Sequence, residues 1–297
     1  MSFLLVSAYC IIQQSKWGYR ILIQEIGHHQ FHNHYEKRSI REQDYLFIFN
    51  GNQVLLKKGK QNYIPRWKEI AMQSVKKKEQ CQFLFTIDEE AFFLYQGEPL
   101  EEWDKYFYGD KEKLRKNDGW ARYAHAVALH LHQFYQSNQY CGYCGKRMHH
   151  HPQLRALQCE CGNLCFPKIS PAIICAIIDG DRIVLTKYNG RAFKDYALIA
   201  GFCEIGETLE ECVKREVYEE VGLKIKDLCY FGSQPWPYSQ SMMIGFSAHL
   251  DGDATITREE EELSEALWIK RDEIPELWQQ DGLTQHIMKA FKEGKLK

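Results

Sequence analysis

The stretch at positions 201–223 constrains the fold of this chain more than any other. It reads GFCEIGETLEECVKREVYEEVGL and contains seven glutamates. Thr208 can cap the first turn of a helix, and Glu211 three residues later completes a capping box. Gly222 supplies the left-handed residue at which helices commonly end. The stretch therefore predicts a helix that begins after Thr208 and ends before Gly222.

Three of the glutamates lie near the end of this predicted helix, where the helix dipole opposes negative charge. Glu216, Glu219 and Glu220 are three and four residues apart, so their side chains fall within an arc of about 100° on one face. Like charges at these spacings repel one another. Mg²⁺ or Mn²⁺ would neutralise that repulsion, because carboxylate oxygens are ligands for such hard cations. The alternative is a solvated acidic face.

Apolar runs on both sides of the helix predict strands. Three runs precede it (PAIICAII, DRIVLTKY, YALIAGF), three follow it (LCYFGSQPWPY, MMIGFSAHL, EALWI), and a last helix is predicted from about Gly282. Strands that enclose a central helix, with another helix at the end, predict an α/β sandwich. Farther upstream, Trp120 to about Tyr135 has helical periodicity, and its histidines are expected on the helix surface or at an interface: His125, His130 and His132.

A cysteine cluster follows that upstream helix. Cys141 and Cys144 form a C-x-x-C-G knuckle, whose glycine lets backbone N–H groups point at the thiolates, and Cys159 and Cys161 follow about fifteen residues later. This spacing predicts a Cys₄ zinc ribbon of structural type, because a closed tetrahedral site leaves no position for substrate. The second knuckle is irregular, so Cys165 is held in reserve as a ligand. Reduced cysteines without metal are the alternative.

The glutamate-rich stretch resembles the Nudix box. The matching positions are Gly201, Glu207, Arg215, Glu216, Val217, Glu219, Glu220, Gly222 and Leu223. The resemblance implies a Nudix α/β/α sandwich that hydrolyses a nucleoside diphosphate linked to another group, with Mg²⁺ or Mn²⁺ as cofactor. It also implies that Glu216, Glu219 and Glu220 hold the metal ions and that Glu220 receives a proton from water. Arg215 would orient a box carboxylate through an ion pair.

A second motif lies ten residues beyond the box. Positions 233–241 read SQPWPYSQS, which resembles the SQPWPFPxS signature of the NADH pyrophosphatase branch of Nudix hydrolases. Prolines on both sides of Trp236 predict an extended segment. Gln234, Ser239 and Ser241 are expected to hydrogen-bond a ribose or phosphate, although Ser239 stands where the signature has its third proline. The alternative is a loop that only closes an edge of the sheet.

Two further residues match that branch by position. Phe202 stands where the family stacks an aromatic ring on the nicotinamide, with a core phenylalanine as the alternative. Glu265, just before the Ala-Leu-Trp strand, stands where the family has a further metal-binding glutamate, with a solvated acid as the alternative. The order of N-terminal domain, ribbon, box and tryptophan motif also matches over most of residues 120–297.

The predicted organisation has four segments. Residues 1–118 form an α+β domain, 119–138 a connecting helix, 139–168 the zinc ribbon and 169–297 the catalytic domain. Asn50-Gly51 predicts a hairpin turn in the first segment. The histidines of HHQFHNHYEK are either a metal site or, as we expect, a polar surface: His28, His29, His32 and His34.

Composition bounds the cellular setting and the partners. A formal net charge of −2 gives no general attraction to nucleic acid or anionic membranes. The first run, MSFLLVSAYCII, is too short to span a bilayer and lacks the features of a signal peptide, so a buried strand is predicted there. Eleven cysteines without a disulfide framework are expected of a reduced, cytoplasmic protein.

The resemblance implies a specific reaction, the hydrolysis of NAD(H) to AMP and nicotinamide mononucleotide, and a homodimer whose chains both line the substrate pocket. NAD-capped RNA presents the same pyrophosphate and is the main alternative substrate. ADP-ribose and diadenosine polyphosphates would leave the tryptophan motif unexplained. A non-catalytic nucleotide sensor is a further alternative, but such a protein would be expected to lack box glutamates.

Overall fold

The structure is a computed structural model that describes residues 22–71, 78–114, 119–190, 195–274 and 282–296. These residues form two compact units. The N-terminal unit comprises residues 23–169 and 236–240, and the C-terminal unit comprises Leu22, 170–235 and 241–296. The predicted first strand, in MSFLLVSAYCII, lies outside the described residues. The four predicted segments divide the chain more finely than this, and their boundaries stay predictions.

The N-terminal unit combines two small sheets, a ribbon and one long helix. Its elements are β1 (Phe31–His32), β2 (Tyr45–Phe47), β3 (Phe49–Asn50), β4 (Gln53–Lys57), α1 (Trp67–Ala71), β5 (Cys81–Ile87), β6 (Glu90–Tyr95), β7 (Tyr106–Gly109), α2 (Gly119–Ser137), β8 (His149–His150), β9 (Leu157–Gln158) and β10 (Leu164–Cys165). The strand orders are β1-β5-β6-β2, β3-β4-β7 and β10-β9-β8. The predicted hairpin is confirmed, because β3 pairs antiparallel with β4 and Gly51 adopts a φ of 58°.

The core of this unit lies between α2, the strands and the ribbon. Alanine and leucine, with no internal glycine or proline, favour α2, and one buried cluster joins its Leu129 and Phe134 to Cys141 and Cys159 of the ribbon. Of the surface and interface positions expected for the α2 histidines, the surface alternative is wrong for two of them. His125 and His132 are buried against the Phe49 ring, with centroid distances of 5.9 and 4.6 Å, because α2 is covered on more than one side.

The C-terminal unit is a sheet with a helix on each face. Its elements are β11 (Ser170–Asp179), β12 (Arg182–Tyr188), β13 (Ile199–Phe202), α3 (Leu209–Val221), β14 (Ile225–Trp236), β15 (Ser241–Leu250), β16 (Leu263–Lys270) and α4 (Leu283–Lys292). The strand order is β14-β15-β11-β12-β16, and β13 pairs with β11. Trp236, the last residue of β14, belongs to the N-terminal unit. All six strands and both helices predicted for this region are confirmed.

Alternation along β11 explains the two layers of helix. Ile174, Ala176 and Ile178 point into one buried apolar cluster, which also contains Ile287 and Phe291 of α4. Ile173, Cys175 and Ile177 point to the opposite face, where the cluster contains Val213 and Val217 of α3. Successive strand side chains face opposite sides of a sheet, so a continuous apolar strand requires cover on both. The predicted α/β/α sandwich is confirmed.

The caps of α3 are those that the sequence predicts. The Thr208 side chain accepts a hydrogen bond from the Glu211 amide, the Glu211 side chain accepts one from the Thr208 amide, and Gly222 is left-handed with a φ of 70°. These caps satisfy backbone groups that the ends of a helix would otherwise leave unpaired. Within the described ranges, no helix has the length and apolar character needed to cross a membrane.

Candidate active site

The four predicted ribbon ligands come together. The Sγ atoms of Cys141, Cys144, Cys159 and Cys161 all lie within 4.8 Å of one another. Cys165, the alternative zinc ligand, does not belong to this group. Its Sγ instead donates to Asn138 Oδ1 at 3.2 Å. Among the described residues, no other group of three or more cysteine, histidine, aspartate or glutamate side chains brings its ligand atoms this close together.

The first knuckle has the electrostatics expected of a thiolate site. Backbone N–H groups of Cys144 and Tyr143 donate to the Cys141 sulfur and lower the pKa of that thiol to about 6. Gly145 makes the turn possible, since its φ is 73° and its amide donates to the Cys141 carbonyl at 2.8 Å. Thiolates bind metals, so this backbone prepares Cys141 to be a ligand.

The histidine-rich segment forms no such group within the described residues. His29 Nδ1 instead pairs with Asp88 Oδ2 at 2.7 Å, and His34 Nε2 lies 3.8 Å from Glu36 Oε2. These contacts agree with the expected polar surface.

The box arginine gathers three carboxylates in the C-terminal unit. Arg215 binds Glu207 through Nε at 2.5 Å and Nη2 at 2.9 Å. Its Nη1 donates to Glu216 Oε1 at 2.8 Å and to Glu219 Oε2 at 2.9 Å. Two of the predicted metal ligands therefore converge on one nitrogen. The resemblance implies one ion pair for Arg215, whereas the structure shows three carboxylate partners.

The three box glutamates differ in exposure. Side chains of Glu216 and Glu219 are 13% and 57% exposed, whereas the residue exposure of Glu220 is only 3%. The pKa of Glu216 is raised, first by burial and then by the negative charges of Glu219 and Glu262, against the lowering by Arg215. A cation would relieve this excess of negative charge.

Gly201 makes room for the Glu216 carboxylate. A Cβ atom added at Gly201 would lie 2.0 Å from Glu216 Cδ, which no real contact permits. Any larger residue at this position would therefore displace the Glu216 carboxylate from its place beside β13. The loop between them is held by Glu207, which accepts from the Glu204 amide at 2.9 Å. Arg215 and that amide lower the pKa of Glu207 to about 2, so it is ionised at neutral pH.

Phe202 is not a core residue. Its side chain is 50% exposed at the end of β13, and its carbonyl accepts a hydrogen bond from Arg215 Nη2 at 3.0 Å. The core alternative is therefore wrong. The same guanidinium that orders the carboxylates also fixes the backbone that carries this exposed ring.

Two of the predicted substrate contacts are buried within the C-terminal unit, contrary to expectation. Gln234 is 1% exposed, and its Oε1 accepts from the amide of Leu283, the first residue of α4, at 2.8 Å. Helix amides at this position need an acceptor, which gives Gln234 a structural role. Ser241 is 2% exposed, and its Oγ lies 3.8 Å from Met243 Sδ. Neither side chain is therefore exposed to solvent in this structure.

The prolines of the tryptophan motif predicted an extended segment, but the motif is not extended throughout. Pro237–Ser239 form a 3₁₀ turn that ends at Gln240, which has a φ of 53°. Proline fits the first position of a helical turn, because its fixed φ suits the turn and it needs no amide partner there. Trp236 is half-buried, and Ser239 is exposed in the N-terminal unit.

Glu265 has partners other than the box. Lys187 Nζ lies 2.7 Å from its Oε2, and the Tyr196 hydroxyl donates to its Oε1 at 3.3 Å. The negative charge of Glu262, three residues earlier, is one of the charges that raise the pKa of Glu216. The run of glutamates before β16 gives sequence reasoning no way to choose among them. In the structure, Glu265 differs from Glu262 because it lies opposite Lys187 in the pairing of β12 with β16.

Comparison with known proteins found similar sequences and structures. A NUDIX domain model matches residues 168–291. The crystal structure of a NUDIX hydrolase from Nitrosomonas europaea aligns with a TM-score of 0.45 and 19% identity, covering 52% of this chain and 91% of that one. The NAD-capped RNA hydrolase NudC of Escherichia coli O157:H7 is 39% identical over 186 residues, which cover 61% of this chain and 72% of that protein.

Because the Escherichia coli relative is matched over most of its length, the chain belongs to the Nudix family that contains the NudC proteins. The protein of the same name from Photorhabdus laumondii is 43% identical over 148 residues, which cover 50% of this chain. The chain spans only 57% of the length of that relative.

Proposed function

We propose that this protein is a metal-dependent hydrolase of the pyrophosphate bond of NAD(H), in either redox form, and that it yields AMP and nicotinamide mononucleotide. The observation that carries the proposal is the set of contacts around Arg215. One guanidinium holds Glu207, Glu216 and Glu219, while Gly201 gives the Glu216 carboxylate its place. The names of the relatives support a substrate that contains NAD.

The carboxylates fit Mg²⁺ or Mn²⁺. Glu216, Glu219 and Glu220 would hold the ions, and Glu262 would take the further position that the sequence assigned to Glu265. Oxygen ligands of this kind suit hard divalent cations. Such ions, when bound, neutralise the charge on the phosphate oxygens and lower the pKa of a water molecule.

The chain itself would contribute positioning and a base. Arg215 keeps two ligand carboxylates in place, and Glu220 would accept the proton of the attacking water. The water oxygen attacks one phosphorus, and the bond from that phosphorus to the bridging oxygen breaks. The bridging oxygen leaves with the bonding electrons on the second phosphate. Both products are monophosphates, so atoms and charge balance.

Fewer side chains are proposed to contact the dinucleotide than the sequence suggested. Phe202 presents an exposed ring next to the box and would stack on a base or on the nicotinamide. Trp236 and Ser239 are retained as proposed substrate contacts. Gln234 and Ser241 are assigned structural roles because both are buried.

NAD-capped RNA is the second candidate substrate, and it is favoured by the relatives' printed name. The bond cleaved would be the same. Phosphate contacts along an RNA chain make binding fall steeply with salt, whereas one dinucleotide makes few such contacts. A salt series with free NADH and with a capped oligonucleotide therefore separates the two preferences.

Zinc is the metal that we propose for the four ribbon cysteines, because a closed set of four thiolates is typical of structural zinc. A cytoplasmic location accords with the described cysteines, which are all free. A homodimer is proposed from family resemblance, and light scattering on the purified protein measures it.

Glu220→Gln should lower the release of AMP from NADH by at least about 100-fold, because the amide cannot accept the proton of water. Product analysis by chromatography, with Mg²⁺ and then Mn²⁺, measures this. Glu210→Gln is the matched control, since it removes the same charge from the exposed first turn of α3. Thermal unfolding checks both folds. Undiminished AMP release by Glu220→Gln would refute the mechanism.

Glu262→Gln should weaken Mn²⁺ binding by at least about tenfold, a loss typical of removing a group that supports a metal site. Glu265→Gln should leave the Mn²⁺ affinity little changed, because this side chain is bound to Lys187 and Tyr196. Electron paramagnetic resonance titration of free Mn²⁺ gives both affinities. The opposite order of effects would restore Glu265 as the ligand.

Cys161→Ser should remove most of the bound zinc, because the hydroxyl is a far poorer ligand than a thiolate. Cys165→Ser is the matched control, and its zinc content should stay near one per chain, since its sulfur contacts Asn138 instead. Emission spectroscopy on freshly purified protein measures both. Wild-type protein with well under one zinc per chain would contradict the ribbon proposal.

A further inference from the structure

A polar pocket lies within the N-terminal unit. Of the elements that line it, the proposed chemistry uses only the 237–239 turn, through Ser239. The pocket volume is about 850 Å³, and the end of α2, the β3–β4 hairpin, the segment after β6 and the 237–239 turn all line it. That volume is in the range of small-molecule sites. Six lining residues carry the argument: Tyr95, Gln96, Gln136, Gln139, Arg147 and Tyr238.

The amides of the pocket are held in place by other side chains. Gln139 Nε2 donates to Gln136 Oε1 at 2.9 Å, and His150 Nε2 lies 2.9 Å from Gln96 Oε1. Each contact uses one end of a glutamine. The Gln136 and Gln96 N–H₂ groups and the Gln139 carbonyl have no further side-chain bond within the described residues. Fixed donors and acceptors lower the entropy lost when a ligand binds.

The charge of the pocket comes from Arg147. Its guanidinium has no ion pair and no side-chain hydrogen bond with any residue that the structure describes. The neighbouring Lys146, by contrast, pairs with Glu160 at 3.2 Å. His132 also lines the pocket, but burial lowers its pKa, so it is neutral at pH 7. Glu98 is the acid on the pocket wall, and it is exposed.

Aromatic rings stand beside the amides and the arginine. Tyr95 and Tyr238 both line the pocket and are partly buried. The Tyr238 ring is fixed edge-on against Trp236, with a centroid distance of 5.2 Å. A flat aromatic ring, amide groups that can pair with base edges and a free guanidinium are the three features that recognise a nucleotide.

We propose that this pocket binds a nucleotide unit through its base and its phosphate. The unit would come from the RNA chain that follows an NAD cap, or it would be a free mononucleotide. The first source rests on the proposed function, since it requires a capped RNA substrate. Amide side chains would contact the base edge, a tyrosine would stack on the base, and Arg147 would bind the phosphate.

Arg147→Ala and Gln136→Ala test the pocket, and Lys146→Ala is the matched control. Lys146→Ala removes the same charge from the adjacent position, outside the pocket lining. For RNA, Arg147→Ala should raise the KM for an NAD-capped decanucleotide by about tenfold. It should also reduce the slope of log affinity against log salt by about 0.7, the value for one phosphate contact with a single strand. The KM for free NADH should stay unchanged.

Direct binding separates this inference from the proposed function. Fluorescence anisotropy with an uncapped 5′-phosphorylated decanucleotide, and calorimetry with UMP, report the pocket without any turnover. If the wild type hydrolyses neither substrate but binds the oligonucleotide through Arg147, the pocket stands and the proposed function fails. If Arg147→Ala weakens UMP binding and leaves both RNA ligands unaffected, a free mononucleotide is the source.

Gln136→Ala should weaken the same ligand as Arg147→Ala, and by less, because it removes a neutral hydrogen bond. Circular dichroism and zinc content should match the wild type in all three variants. The proposal is overturned if Arg147→Ala and Gln136→Ala bind UMP, the oligonucleotide and the capped RNA as tightly as Lys146→Ala does.

Discussion

The ion pairs of Arg215 are the interaction on which the site depends. Three carboxylates of one short segment would repel one another without a cation among them. The guanidinium is planar and always charged, so it can hold Glu207 on one edge while a third nitrogen holds Glu216 and Glu219. The same side chain also binds the Phe202 carbonyl. The loop, the helix and the end of β13 are therefore positioned by one charge.

Glu220 occupies a different environment from the acids that Arg215 holds. It lies on the buried side of α3, where its neighbours Val217 and Val221 face the sheet. A carboxylate is costly to bury, and such positions are frequent in catalytic sites. Helix α3 therefore carries two glutamates that Arg215 binds, Glu216 and Glu219, and one buried glutamate, Glu220. That division suits a site in which some carboxylates bind metal and one also handles a proton.

Local rules predicted the parts of the structure that local interactions determine. The caps of α3 depend on Thr208, Glu211 and Gly222 alone, and the ribbon depends on cysteine spacing, so both follow from short stretches. Other features depend on contacts between distant segments. Gln234 is buried because its acceptor meets the start of α4, 49 residues away. No local pattern in the tryptophan motif carries that information.

The sequence also could not distinguish Glu262 from Glu265 as the further metal ligand, because the difference depends on contacts with a distant strand. Both lie in one acidic run, and only the antiparallel pairing with β12 places Lys187 opposite Glu265. For His125 and His132, helical periodicity alone leaves both a surface and an interface position open. The long helix α2 instead packs within a cluster that includes strands and ribbon, so its polar side chains are enclosed as well.

Anomalous diffraction from crystals soaked in Mn²⁺ would show directly whether the box carboxylates bind a metal ion. We expect manganese at coordination distance from the carboxylates of Glu216 and Glu219, with Arg215 retained beside them. Crystals that bind no manganese at these side chains, from protein that leaves NADH intact in the same metal, would contradict it.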